Sequence, residues 1–144
     1  MIDARTEAVV ARLRVLPGPA ERIAALADRA RRLPALRVEE RVEANLVRGC
    51  VSRVWLVGGS VDGRMWFRAD ADSAIVKGLV TLLWEIAEGQ TAVDLAAAPV
   101  EPPVLVALEM DAHLSPTRLR GVGQVWRRMQ ALASGSDGRS GGNF

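Results

Sequence analysis

One cysteine, one histidine, one lysine and no tyrosine occur among 144 residues, and aromatics make up only 4% of the chain. Each scarcity removes a class of explanation. The single cysteine, Cys50, has no partner for an internal disulfide. In a chain without an export signal it suggests a reducing, cytoplasmic setting. One Cys and one His (His113) are too few for cluster ligation, which takes several thiolates. The longest apolar stretches, such as Gly78 to Trp84, fall far short of the ~20 residues a membrane helix needs. The opening residues Met1-Ile2-Asp3-Ala4-Arg5-Thr6-Glu7 are partly acidic and lack the apolar core of a secretory signal.

The charge balance excludes another class. The pI is about 9.4, yet the net charge is only +2. With no Tyr, one Cys and one Lys, few groups titrate between neutral pH and the arginine range, so a small cationic excess lifts the pI far. The arginines are scattered among acids rather than clustered with aromatics, which is not a nucleic-acid footprint.

What remains is ordinary globular composition, 49% hydrophobic and 25% charged. The length predicts one domain over residues 1–134. The Gly/Ser-rich end, 135–144, is expected to be a flexible tail. Asp3 is a candidate N-cap for a first helix through Ala8, Val9, Leu13 and Leu16, stopped by Pro17-Gly18-Pro19. A second helix from Ala20 buries Ile23, Leu26, Ala27 and Ala30, keeps Arg22, Asp28, Arg29 and Arg32 wet, and stops at Leu33-Pro34. Residues 35–48 have no clear period and read as an ordered connection.

Val51 to Val57 and Arg64 to Ala69 have strand composition, with Gly58 to Gly63 between them as a glycine-rich hairpin loop. Alternation puts Val54, Leu56, Met65 and Phe67 on one face, and Arg53, Trp55, Arg64, Trp66 and Arg68 on the other. Ser73 caps a strongly apolar helix from Ala74 to Glu88 that ends at Gly89. Thr91 and Pro102-Pro103 open two short helices, and Ser115-Pro116 opens a last one running to about Ala133. Strands not interleaved with crossover helices predict an α+β fold, a small antiparallel sheet with helices packed on one face.

Cys50 is preceded by Gly49, which can take a left-handed turn and set the thiol at a loop apex before a strand. Arg48 and Arg53 would favour the thiolate if they lie close. From composition alone, an inert buried cysteine is the commoner reading. Asp70 and Asp72 beside Ser73 suit turn and cap duty better than a metal or acid–base pair. Trp55 and Trp66 alternating with Arg make either a solvated ladder or a docking surface.

The run Asn45…Gly49-Cys50-Val51-Ser52-Arg53-Val54-Trp55 resembles the signature of the SufE family, a glycine-cysteine pair followed by serine and then Val-Trp. Further blocks agree in order: Glu21-Arg22 with Leu33-Pro34, Phe67 through Leu79, Gly89-Gln90-Thr91, and His113-Leu114-Ser115-Pro116-Thr117-Arg118. The likeness covers roughly residues 20 to 130. Val51 and Arg53 stand where the family often has glutamine.

The resemblance implies a sulfur carrier. Cys50 would take a sulfane sulfur from a PLP-dependent cysteine desulfurase, stimulate that enzyme, and pass the sulfur to an iron–sulfur cluster assembly scaffold. The PLP belongs to the partner, and the chain itself needs no cofactor or metal. Asn45, Gly49 and Ser52 would support the cysteine loop, while Arg118, His113 and Trp55 are pocket or partner candidates. Self-association no stronger than a weak homodimer is expected. Two other classes compete: a cysteine-nucleophile hydrolase or transferase using Cys50 and His113, and a metallocluster scaffold, prompted by the similar fold of IscU-type proteins.

Overall fold

The computed structural model describes residues 2–50, 52–110 and 114–135. Six α-helices and one hairpin carry the described core: α1 (Ile2–Arg14), α2 (Pro19–Arg29), β1 (Val54–Val61), β2 (Arg64–Ala71), α3 (Ala74–Ala87), α4 (Ala92–Ala97), α5 (Pro103–Ala107) and α6 (Pro116–Ser134). Short 3₁₀ turns follow α2 and punctuate the connection to β1. This is the expected α+β arrangement. The tail expected to be flexible falls, from residue 136 on, outside the described residues.

The hairpin is longer and its turn tighter than the glycines suggested. β1 continues through Gly58, Gly59, Ser60 and Val61, paired with Phe67, Trp66, Met65 and Arg64. Only Asp62 and Gly63 form the turn, both at positive φ (54° and 78°), which a two-residue turn of the I′ class demands. Gly58 is therefore a strand residue. A β-carbon there would run into the Phe67 ring, so its bareness makes room for a core aromatic on the neighbouring strand.

Alternation sorts the faces as expected. Val54, Leu56, Met65, Phe67 and Ala69 are buried on the inner face, which α3 and α6 cover. The outer face is strapped by the connection before β1. Glu40 takes two hydrogen bonds from Arg68 (3.1 and 2.5 Å), and Arg41 pairs with Asp70 while lying over the Trp55 ring. The outward N–H groups of β2 are sealed as well. Met65 donates to the Gln90 carbonyl (2.9 Å), Phe67 to Glu88 Oε1 (2.8 Å) and Ala69 to the Pro34 carbonyl (3.4 Å).

Helix α3 is the hub. Ser73 Oγ accepts from the Val76 N–H, and Leu79, Val80, Leu82, Leu83 and Ile86 are wholly buried among α1, α2, the sheet and α6. Each such side chain contributes about 2 kcal/mol by leaving water. Gly78 lets α2 cross closely, since a β-carbon there would sit 2.6 Å from the Leu26 carbonyl oxygen. Arg29 is not on the wet side. It forms a two-pronged, nearly buried pair with Glu85 (2.8 and 3.0 Å) that joins α2 to α3. Asp3 lies within the first turn of α1 rather than before it, and Ala8 is exposed. Helix α6 starts as expected: Ser115 Oγ accepts from the Arg118 N–H at 3.2 Å, with proline next. Its buried Trp126 donates to the Pro99 carbonyl at 2.9 Å, tying α6 to the end of the α4 segment.

Candidate functional site

The cysteine loop hangs between two fixed points. Before it, Leu46 bridges to Trp55, and the buried Val47 donates its N–H to the Val54 carbonyl at 2.8 Å. After it, Arg53 and Asp72 clasp each other: Arg53 N–H donates to Asp72 Oδ1 (3.1 Å), and Asp72 N–H donates to the Arg53 carbonyl (3.1 Å). Gly49, at φ 87°, turns the chain at the apex as expected. The loop's ends are therefore held by the sheet, and its apex rests on α6.

Cys50 is half-buried against α6. Its Sγ–H donates to the Gly121 carbonyl at 3.1 Å. Burial pushes the thiol up from 9.0 to about 11. The cationic assistance expected of Arg48 and Arg53 does not set the resting state. At neutral pH the closed site holds a protonated thiol, not a nucleophile.

Around the thiol lies a cavity of about 310 Å³ lined by Cys50, Ser52, Val76, Ser115, Thr117, Arg118, Gly121 and Val122. Three of the residues singled out in the sequence thus meet here: Cys50, Ser52 and Arg118. Arg118 is exposed at the rim, in the first turn of α6. Ser115, Thr117 and Ser52 add hydroxyls, while Val76 and Val122 add apolar wall.

Others lie elsewhere. Asn45 sits in the strap, donating to the Glu40 carbonyl at 2.9 Å, and lines a different cleft with Val57 and Trp66. Trp55 is on the outer sheet face beneath Arg41. The structure brings neither to the cavity. His113 and Val51 lie outside the described residues. Asp70 pairs with Arg41 and Lys77, and Asp72 holds the loop end, while Ser73 does the capping.

Val76 and Thr117 entered the sequence reading only as members of longer matched blocks, and Gly121 and Val122 were not singled out. Gly121 carried a signal all the same, as one of two glycines inside a helical pattern. Among the described residues, no group of three His, Cys, Asp or Glu side chains is placed to hold a metal ion, and no helix is long and apolar enough to cross a membrane.

Residues 7–133 match the SufE family, described as an Fe-S metabolism associated domain. An uncharacterized SufE-like protein of Synechocystis sp. is 30% identical over 125 residues, covering 87% of this chain and 77% of the relative. The solution structure of a hypothetical protein from Thermus thermophilus superposes with a TM-score of 0.75 at 20% identity. That match covers 90% of this chain and 93% of the other, a likeness of fold.

Proposed function

Because this chain belongs to the SufE family and so has a place in Fe–S metabolism, we propose that it is a sulfur carrier whose Cys50 accepts sulfane sulfur from a PLP-dependent cysteine desulfurase. The observation that carries this reading is the seating of Cys50. A thiol at the apex of a loop with fixed ends, protonated and tucked against α6, suits a group that acts only when a partner lifts it.

The transfer is an exchange at sulfur. The Cys50 thiolate attacks the outer sulfur of the desulfurase persulfide, and the S–S bond to the donor cysteine breaks. The donor leaves as a thiolate, and Cys50 becomes Cys50–S–SH. No external oxidant or reductant is consumed. The donor's thiolate and Cys50's exchange roles, so the step is close to balanced and can run onward to an acceptor. Raised outward, Cys50 leaves the apolar contact that holds its proton. On return, the hydroxyls of Ser52, Ser115 and Thr117 and the guanidinium of Arg118 offer donors to the more acidic persulfide, and the cavity separates it from free thiols. Arg118, exposed at the rim, is also positioned to meet the desulfurase. An iron–sulfur assembly scaffold is the acceptor in this reading, and the chain has no turnover of its own.

A hydrolase or transferase using Cys50 and His113 is the competing reading; ester hydrolysis in the absence of any desulfurase would favour it. The deciding experiment is incubation with a cysteine desulfurase and cysteine, followed by intact mass. Wild type should gain one sulfur atom and Cys50→Ser none. Equal gain in both variants, or gain in neither, rejects the relay.

A further inference from the structure

We infer that Gly121 is the positioning residue for the acceptor thiol: its missing side chain lets Cys50 close against α6, and so sets how readily the loop opens. This rests on reading Cys50 as the acceptor.

Glycine within a helix is unfavourable relative to alanine by about 1 kcal/mol, so one in the middle of α6 calls for a reason. The sequence has two there, Gly121 and Gly123, both buried. They differ in what a β-carbon would meet. At Gly123 nothing lies within 4 Å. At Gly121 the three nearest atoms all belong to Cys50: Cα at 3.3 Å, Sγ at 3.5 Å and Cβ at 3.6 Å. The first of these is tight enough that Cys50 would have to give way by a few tenths of an ångström. Gly121 also supplies the carbonyl that takes the Sγ–H bond at 3.1 Å. One residue thus provides both the acceptor and the space that admits the thiol to it.

The neighbouring contact runs the same way. Gly49, at the loop apex, faces the side chain of Gln124, one helical turn beyond Gly121. The apex therefore lies along a single face of α6, with Gly49 over Gln124 and Cys50 over Gly121. The loop's ends are held by the sheet, so its closure depends on this face being flat at position 121. A side chain there converts a seat into a wedge.

The consequence is measurable without any desulfurase, in the isolated chain. Complete release would return the thiol from about 11 toward 9.0, which is about a hundredfold more thiolate at pH 8. Iodoacetamide labelling of Cys50, followed by intact mass, is compared in wild type, Gly121→Ala, Gly121→Leu and Gly123→Ala. Thermal melting verifies the fold of each.

The expected order is wild type and Gly123→Ala slowest and equal, Gly121→Ala faster, and Gly121→Leu near the hundredfold ceiling. The pH of half-maximal rate should fall in the same order. Both alanine variants gain helix propensity, so a purely structural role would move them together. If Gly121→Ala labels no faster than wild type, or Gly123→Ala matches it, the inference is overturned. Should Gly121→Leu fail to fold, Gly121→Ala decides alone. Failure here leaves sulfur transfer to wild type untouched, and failure of that transfer leaves this ranking readable.

Discussion

Labelling of Cys50 across pH, in the folded and the unfolded chain, tests the resting state of the site directly. Folded, the thiol titrates at about 11; freed from burial, it returns to 9.0. Each pH unit below the pKa lowers the thiolate fraction tenfold. At pH 8 about one thiol in a thousand is ionised in the folded chain, against about one in ten unfolded. Alkylation by iodoacetamide should therefore be about a hundredfold slower in native buffer than in guanidinium at pH 8. The two rates converge as the pH passes 11.

The same difference links to stability. Between 9.0 and about 11 the folded chain keeps a proton that the unfolded chain has lost. Cys50 therefore leaves stability unchanged below pH 9 and lowers it as the pH rises through that window. Cys50→Ser should lack this part of the slope. A native labelling curve with its midpoint at or below 9 would refute burial as the governing influence. It would reopen a role for Arg48 and Arg53.

Three further outcomes follow from the packing. Gly78→Ala should lower the melting temperature despite better helix propensity, because overpacking against the Leu26 carbonyl costs about 1–3 kcal/mol; a higher melting temperature contradicts the tight α2–α3 crossing. Glu85→Gln should destabilise by about 3 kcal/mol in urea unfolding by leaving Arg29 buried and unpaired, whereas Arg29→Met with Glu85→Leu should lie much closer to wild type. A single change under about 0.5 kcal/mol would mean the pair is solvated. Arg118→Glu should weaken stimulation of a desulfurase while melting like wild type, and unchanged stimulation removes Arg118 from the docking surface.

The serine caps, the apex glycine and the strand alternation are legible locally in this chain, whereas the Asp3 cap is not. Ser73 and Ser115 cap the helices they precede, Gly49 takes its left-handed turn, and the strand alternation sorts the sheet faces. Expectation and structure part where a distant neighbour decides. Gly58 to Val61 reads as a loop because glycine weakens a strand on its own, and only the Phe67 ring across the hairpin explains Gly58 within one. Arg29 reads as wet because its partner Glu85 is 56 positions away. Asn45 and Trp55 stand near Cys50 in sequence yet face the strap and the outer sheet. Gly121, 71 positions on, touches the thiol itself. Sequence proximity to the cysteine is a poor guide to the site because the loop reverses and closes on the last helix.

In the proposed relay the thiol is closed at rest and opened by its sulfur donor. The most direct test is alkylation of Cys50 in the presence of a saturating, catalytically inert cysteine desulfurase. Labelling should be slow in the free chain and markedly faster in the complex. A thiol that stays as unreactive in the complex as in the free chain contradicts the relay.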